Sequence, residues 1–228
     1  MKEQIKQITE NSPNIVIISH MGPDGDTLGS MLALRKMLEQ VKSIKKIDMI
    51  IIGRIPDVYK FLPGISDAKN ANNEELYTSY DLAITVDCAS FDRLGDAVGL
   101  FRNAKTTLNI DHHISNTKFG DTNWIKPKAS ATGELLYEML DILKIELTQE
   151  IATCLYVAIL TYTGGFRFDN TKPHTHVVAA KLLQSGINPT RIYKECYESK
   201  PLAMIKLQAR AIDQANFQLP PIPPDSGR

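Results

Sequence analysis

The chain has 228 residues, 43% of them hydrophobic, and its 26 Lys plus Arg balance 26 Asp plus Glu. That length buries a substantial core, and the zero formal net charge excludes the broad basic field of a protein dedicated to long duplex nucleic acid, leaving room for a local basic cleft. No secretory apolar region opens the chain and no apolar run suits a bilayer. The three cysteines, Cys88, Cys154 and Cys196, form no CxxC pair, so they read as reduced thiols of a cytoplasmic protein without a membrane partner.

Met1–Glu10 carries a short helical pattern, and Ile15–Ser19 follows as a strand whose unbroken apolar run, Ile15–Ile18, is the signature of cover on both faces. Asp26–Glu39 is helical, with Leu28, Leu32, Leu34 and Met37 on its apolar side. Strands are predicted at Lys46–Gly53, Leu82–Asp87 and Thr106–Ile110, and helices at Glu134–Leu143, Gln149–Leu160, Thr175–Gln184, Ile192–Tyr197 and Pro201–Ala215. This alternation predicts an α/β fold: an open parallel sheet flanked by helices, with a helical carboxyl-terminal portion. Residues 1–200 are expected to form one unit, 201–217 a helical connector, and the proline-rich 218–228 a tail or truncated linker.

Chemistry-bearing residues collect where the predicted strands end. His20, Asp24 and Asp26 follow the first run in SHMGPDGDTLGS, Asp87 follows the third, and Asp111, His112 and His113 follow the fourth in NIDHHISN. In open α/β sheets ligands bind outside those ends. Carboxylates crowded there repel one another unless cations neutralise them. A donor set rich in oxygen, with imidazole and no thiolate, favours Mn²⁺, with Mg²⁺ as the alternative. Two such ions roughly 3.5–4 Å apart clamp a phosphoryl oxygen and generate a bridging hydroxide. For His20 and Asp24 alone, the competing reading is a polar turn with an aspartate N-cap.

In order, SHMGPDGDTLGS, VDCASFDR and DHH resemble the first three motifs of the DHH phosphoesterase superfamily. SATGELLYEML and TGGFRFDNTKPHTHVVAAKLLQSGINP are similar to its nanoRNase/pAp phosphatase branch, which hydrolyses very short RNA and 3′-phosphoadenosine 5′-phosphate (pAp). The resemblance implies one metal on His20, Asp24 and Asp87, and a second on Asp26, Asp87 and His112, with Asp87 bridging. It implies that Asp111 orients His112 and that His113 contacts the phosphate, making Asp111 and His113 the catalytic pair. Gly25, Gly29 and Ser30 would let the loop and helix start approach the metals. The implied partner is a short nucleotide or nucleoside bisphosphate; a homodimer is compatible with this reading.

Two departures stand out. The family's fourth motif has an aspartate before TG where this chain has Tyr162, and the family carries a substrate-gripping carboxyl-terminal domain that this chain stops before. They support an alternative, a catalytically impaired protein that binds metal or nucleotide; inorganic pyrophosphatase fits the motifs less well. Outside the strand ends, Arg167 is expected to bind phosphate or to form a surface ion pair, and Arg93 to form an ion pair near the site. His174 and His176 read as capping or surface residues, and Trp124, Phe166 and Phe168 as core rather than base-stacking groups.

Overall fold

A computed structural model describes residues 1–71, 76, 79–199 and 202–214. The five strands β1 (Asn14–Ile18), β2 (Lys46–Ile50), β3 (Leu82–Val86), β4 (Thr106–Asp111) and β5 (Thr122–Ile125) pair in the order β2-β1-β3-β4-β5, all parallel. The chain runs from β1 to β2 on one side and then to β3 on the other, so the switch point lies between β1 and β3. A crevice opens there outside the carboxyl ends.

Alternate residues of β1 enter different cores. Ile15 and Ile17 join a layer built on helices α2 (Gly25–Leu38), α4 (Thr132–Leu143) and α5 (Gln149–Tyr162), whereas Val16 and Ile18 pack with Leu94, Ala97 and Phe101. Burial on both faces explains the unbroken apolar run. Among the described residues the other α-helices are α1 (Lys2–Glu10), α3 (Val98–Arg102), α6 (Pro173–Leu183), α7 (Pro189–Tyr193) and α8 (Leu202–Gln214). The helix expected at Ile192–Tyr197 is instead the end of α7 followed by a π-turn over Lys194–Glu198. The proline-rich segment 218–228 and the end of the expected connector lie outside the described residues.

Three sequence expectations need correction. Strand β5 was not predicted: at four residues (TNWI), with an alternating burial pattern, this edge strand carries too little apolar signal. Second, α2 is not one-sided. Gly25 to Leu34 are all buried, because α2 is wedged between the sheet and α5. Third, Gly25 and Gly29 serve that wedge rather than an approach to metal. A Cβ on Gly29 would stand 2.4 Å from the Cys154 carbonyl oxygen, and one on Gly25 would stand 2.3 Å from Thr161 Oγ1.

The cysteines are all free, and burial pushes each thiol up to about 12. No helix among the described residues is long and apolar enough to cross a membrane. Trp124 is buried, but Phe168 is 56% exposed and folds over Gly164, so the core reading fails for it. His174 and His176 are exposed on α6, His176 stacking on Phe166 with 5.4 Å between ring centroids.

Candidate metal centre at the strand ends

Past β1, Asp24 is the N-cap of α2: its Oδ1 accepts from Thr27 N–H at 3.0 Å. The N-cap reading and a site reading are therefore compatible, since Oδ2 takes no part in the cap. The Thr27 hydroxyl lies 2.7 Å from His20 Nε2, 3.1 Å from Asp24 Oδ1 and 2.8 Å from Asp87 Oδ2, linking the three side chains. Ligand atoms of His20, Asp24 and Asp87 fall within 4.8 Å of one another.

In the first turn of α2, Asp26 is fully buried. Its Oδ2 accepts from Thr132 N–H at 2.7 Å, and its Oδ1 from Gly133 N–H and Ser30 Oγ, each at 3.1 Å. The N-cap of α4, Ala131, has no side chain that can accept, so Asp26 satisfies that helix's free amides from another element. Burial, with the nearby Asp87 charge second, still holds the Asp26 carboxyl well above the usual range. A cation at this position relieves both effects.

Asp87 leaves β3 in the left-handed region at φ 57, its N–H donating to the Ile110 carbonyl at 2.9 Å. That conformation is uncommon outside glycine and re-aims the side chain away from the strand's alternation. The buried carboxylate accepts from Thr27 Oγ1 on Oδ2 and from Thr132 Oγ1 on Oδ1 at 3.1 Å, and stands between the β1 and β4 groups.

At the end of β4 the neighbouring histidines are held differently. Nδ1 of His112 lies 3.2 Å from the Ala129 carbonyl, which assigns the proton to Nδ1 and a lone pair to Nε2. That Nε2 is buried without a hydrogen-bond partner, 3.6 Å from both Asp26 Oδ2 and Asp87 Oδ1. Burial pushes the imidazole pKa down against the pull of Asp87, so the ring is neutral at pH 7. A lone pair facing two carboxylates is repulsive, and a cation between them reverses the sign. Ligand atoms of Asp87, His112 and His113 also lie within 4.8 Å of one another.

His113 Nδ1, by contrast, donates to Asp111 Oδ1 at 2.7 Å. The Asp111 bond raises the His113 pKa. Burial raises that of Asp111, but hydrogen bonds from His113 and Asn116 outweigh it and bring the carboxyl below its ordinary value. Asp111 thus orients the His113 ring and accepts only the backbone N–H of His112, correcting the expectation that it would orient the His112 ring. Asn116 Nδ2, 2.6 Å from Asp111 Oδ2, completes the arrangement. Sequence reading passed over Asn116 although it lies within DHHISN; it passed over Thr27 too, where the D-x-x-T cap spacing was the available signal.

Tyr162, the last residue of α5, reaches this cluster. Its hydroxyl is 3.3 Å from His113 Nε2, and its ring meets His112 edge-on with centroids 4.4 Å apart. Burial and the surrounding aspartates push the phenol up to about 12. Arg93 also joins the group, placing Nη2 2.8 Å from His20 Nδ1, but among the described residues it has no carboxylate partner, contrary to the expected ion pair. Arg167 lies apart: it is exposed and its Nε donates to the Gly164 carbonyl at 2.8 Å.

Residues 14–159 match the DHH family, N-terminal domain. Over 204 residues the chain is 31% identical to the bifunctional oligoribonuclease and PAP phosphatase NrnA of Thermus thermophilus, covering 89% of this chain and 59% of that protein. NrnA of Bacillus subtilis is 27% identical over 210 residues, covering 91% and 64%. The chain thus spans less than two thirds of the length of these curated relatives. Among solved structures, an exopolyphosphatase-related protein from Bacteroides fragilis superposes with a TM-score of 0.85 at 25% identity, over 93% of this chain and 64% of that one. The putative family II inorganic pyrophosphatase of Methanococcus jannaschii, at TM-score 0.61 and 21% identity over 79% and 60% of the respective chains, shares the fold. With its strand-end motifs lying inside the matched span, the chain belongs to the DHH family and resembles the NrnA branch within it.

Proposed function

We propose that this protein is a metal-dependent phosphoesterase acting on short oligoribonucleotides and pAp, with residues 1–200 as its working unit. Two Mn²⁺ ions are assigned, one to His20, Asp24 and Asp87 and the other to Asp26, Asp87 and His112. The observation that carries this reading is the buried, unpartnered Nε2 of His112, aimed at two carboxylates. The ions would polarise the phosphoryl group and acidify water.

The chain's own residues do the rest. Asp111 raises the His113 pKa and turns the ring so that Nε2 points away from Asp111, where a protonated ring can hold a phosphate oxygen or give a proton to the departing one. Tyr162 covers the His112 ring, and its phenol stays neutral at pH 7. A neutral phenol is a weak ligand, so the second ion is the looser one. That observation favours a second reading, a protein that binds metal and nucleotide but turns over slowly. Arg167 remains assigned to substrate, as the exposed cation beside the glycine turn.

Hydrolysis of pAp, a diribonucleotide and pyrophosphate in Mn²⁺, with a chelator control, tests the proposal. The expected result is chelator-sensitive release from the first two. Hydrolysis of pyrophosphate alone overturns the substrate assignment; nucleotide binding without hydrolysis selects the second reading.

A further inference from the structure

Arg93 is the charged residue at this centre that the chemistry above leaves unused. It is half-buried in the turn after β3, and its carbonyl accepts the Met21 N–H at 2.8 Å, so its backbone is fastened to the His20 loop. Arg35 and Arg54 each hold an aspartate, at 2.7 and 3.0 Å. Arg93 instead sets Nη2 against an imidazole nitrogen, His20 Nδ1, at 2.8 Å, and more distantly against the Met21 carbonyl at 3.4 Å.

The contact with His20 conflicts with a second one. Nδ1 of His20 is equally close, 2.8 Å, to the Met21 carbonyl. A single ring nitrogen cannot accept from Arg93 and donate to Met21 at once. When Nδ1 carries the proton and gives it to Met21, Nε2 presents its lone pair to the space shared with Asp24 and Asp87, the orientation a metal-bound histidine adopts. In that state Arg93 has lost its close acceptor and keeps only the distant Met21 carbonyl at 3.4 Å. A guanidinium fork beside His20 then lacks an anion, and a phosphate matches its geometry.

We infer that Arg93 grips a phosphate oxygen of the bound nucleotide, using the N–H that His20 can accept only while its ring is not a metal ligand. This rests on the proposed function, and makes Arg93 the residue that joins substrate binding to metal loading at His20.

Calorimetric binding of 5′-AMP, the nucleotide product of pAp hydrolysis, to the Mn²⁺-loaded full chain tests it without turnover. In Arg93→Met, Mn²⁺ affinity should stay within about threefold, because Met21 still orients His20, while AMP affinity falls at least about tenfold through loss of a charge-assisted pair. Arg93→Lys should recover part of it. Circular dichroism checks folding, and Arg93→Gln replaces the methionine variant if that does not fold. Unchanged AMP affinity in a folded, Mn²⁺-binding variant overturns the inference. So does a parallel loss of Mn²⁺ affinity, which would make Arg93 a support for His20. Failure of the unmodified chain to hydrolyse either nucleotide counts against the proposed function and leaves the AMP measurement readable.

Discussion

Helix α2 meets two neighbours in opposite ways. At its first turn Asp24, Asp26 and Thr27 face the strand ends, where carboxylates crowd together and burial keeps Asp26 reluctant to ionise. Along the adjoining stripe Gly25 and Gly29 face α5, where a single added carbon would collide with backbone or with Thr161. Both stripes follow the four-residue helical repeat: Ser30 donates to Asp26 at 3.1 Å just as Gly29 follows Gly25. One region accepts electrostatic cost that a cation would relieve; the other is close-packed, and leaves no room for an added side chain. The short segment GPDGDTLGS therefore encodes chemistry in its aspartates and close packing in its glycines.

The sharpest way to break that contrast is Asp87→Ala. It removes the residue shared by both ligand groups, so Mn²⁺ binding should vanish by calorimetry and hydrolysis should fall by more than the roughly 10–100-fold typical of outer partners. Retained binding at both positions would remove the two-ion assignment. Gly29→Ala attacks the other side. Its Cβ meets the Cys154 carbonyl and Ala158, so urea unfolding should show a loss of about 1–3 kcal/mol, while the folded fraction keeps its Mn²⁺ affinity.

Tyr162→Asp sharpens the comparison by adding an anion at the border of the two regions. In a variant shown to be folded, the Mn²⁺ concentration for half-maximal hydrolysis should drop several-fold, roughly 1 kcal/mol in binding free energy. An unchanged Mn²⁺ requirement would clear Tyr162 as the weak point.

A smaller effect is expected at Asn116. The Asn116→Ala change removes one donor from Asp111 and should cost about 1 kcal/mol. Because hydrogen bonds bring the folded Asp111 pKa below the unfolded value of about 3.9, their stabilisation is full above that pH and is lost as pH falls through the folded value. The difference between the two proteins should close in acid, and a gap that persists there would assign the cost to packing. Smallest of all, His174→Ala and His176→Ala should leave Mn²⁺ binding unchanged, because both side chains are exposed on α6.

By itself the sequence determined the parallel α/β class and the cluster at the strand ends. Short runs such as Ile15–Ile18 and the almost wholly apolar Leu82–Val86, β-branched and bounded by turn residues, read as strands buried on both faces, and in a parallel sheet the residues that follow such runs come out on the same side. His20, Asp87 and His112 were legible for that reason, before any contact between them was known. The tertiary structure alone decided which group serves which. Asp26 caps α4 across 106 residues of chain, Asp111 turns to His113 instead of the His112 ring, Arg93 meets an imidazole instead of a carboxylate, and Gly29 lies against Cys154 on α5. Periodicity and capping act within a few residues of one segment. Which lone pair meets which donor depends on how segments far apart in the chain settle against one another to within an ångström, and no local pattern records that.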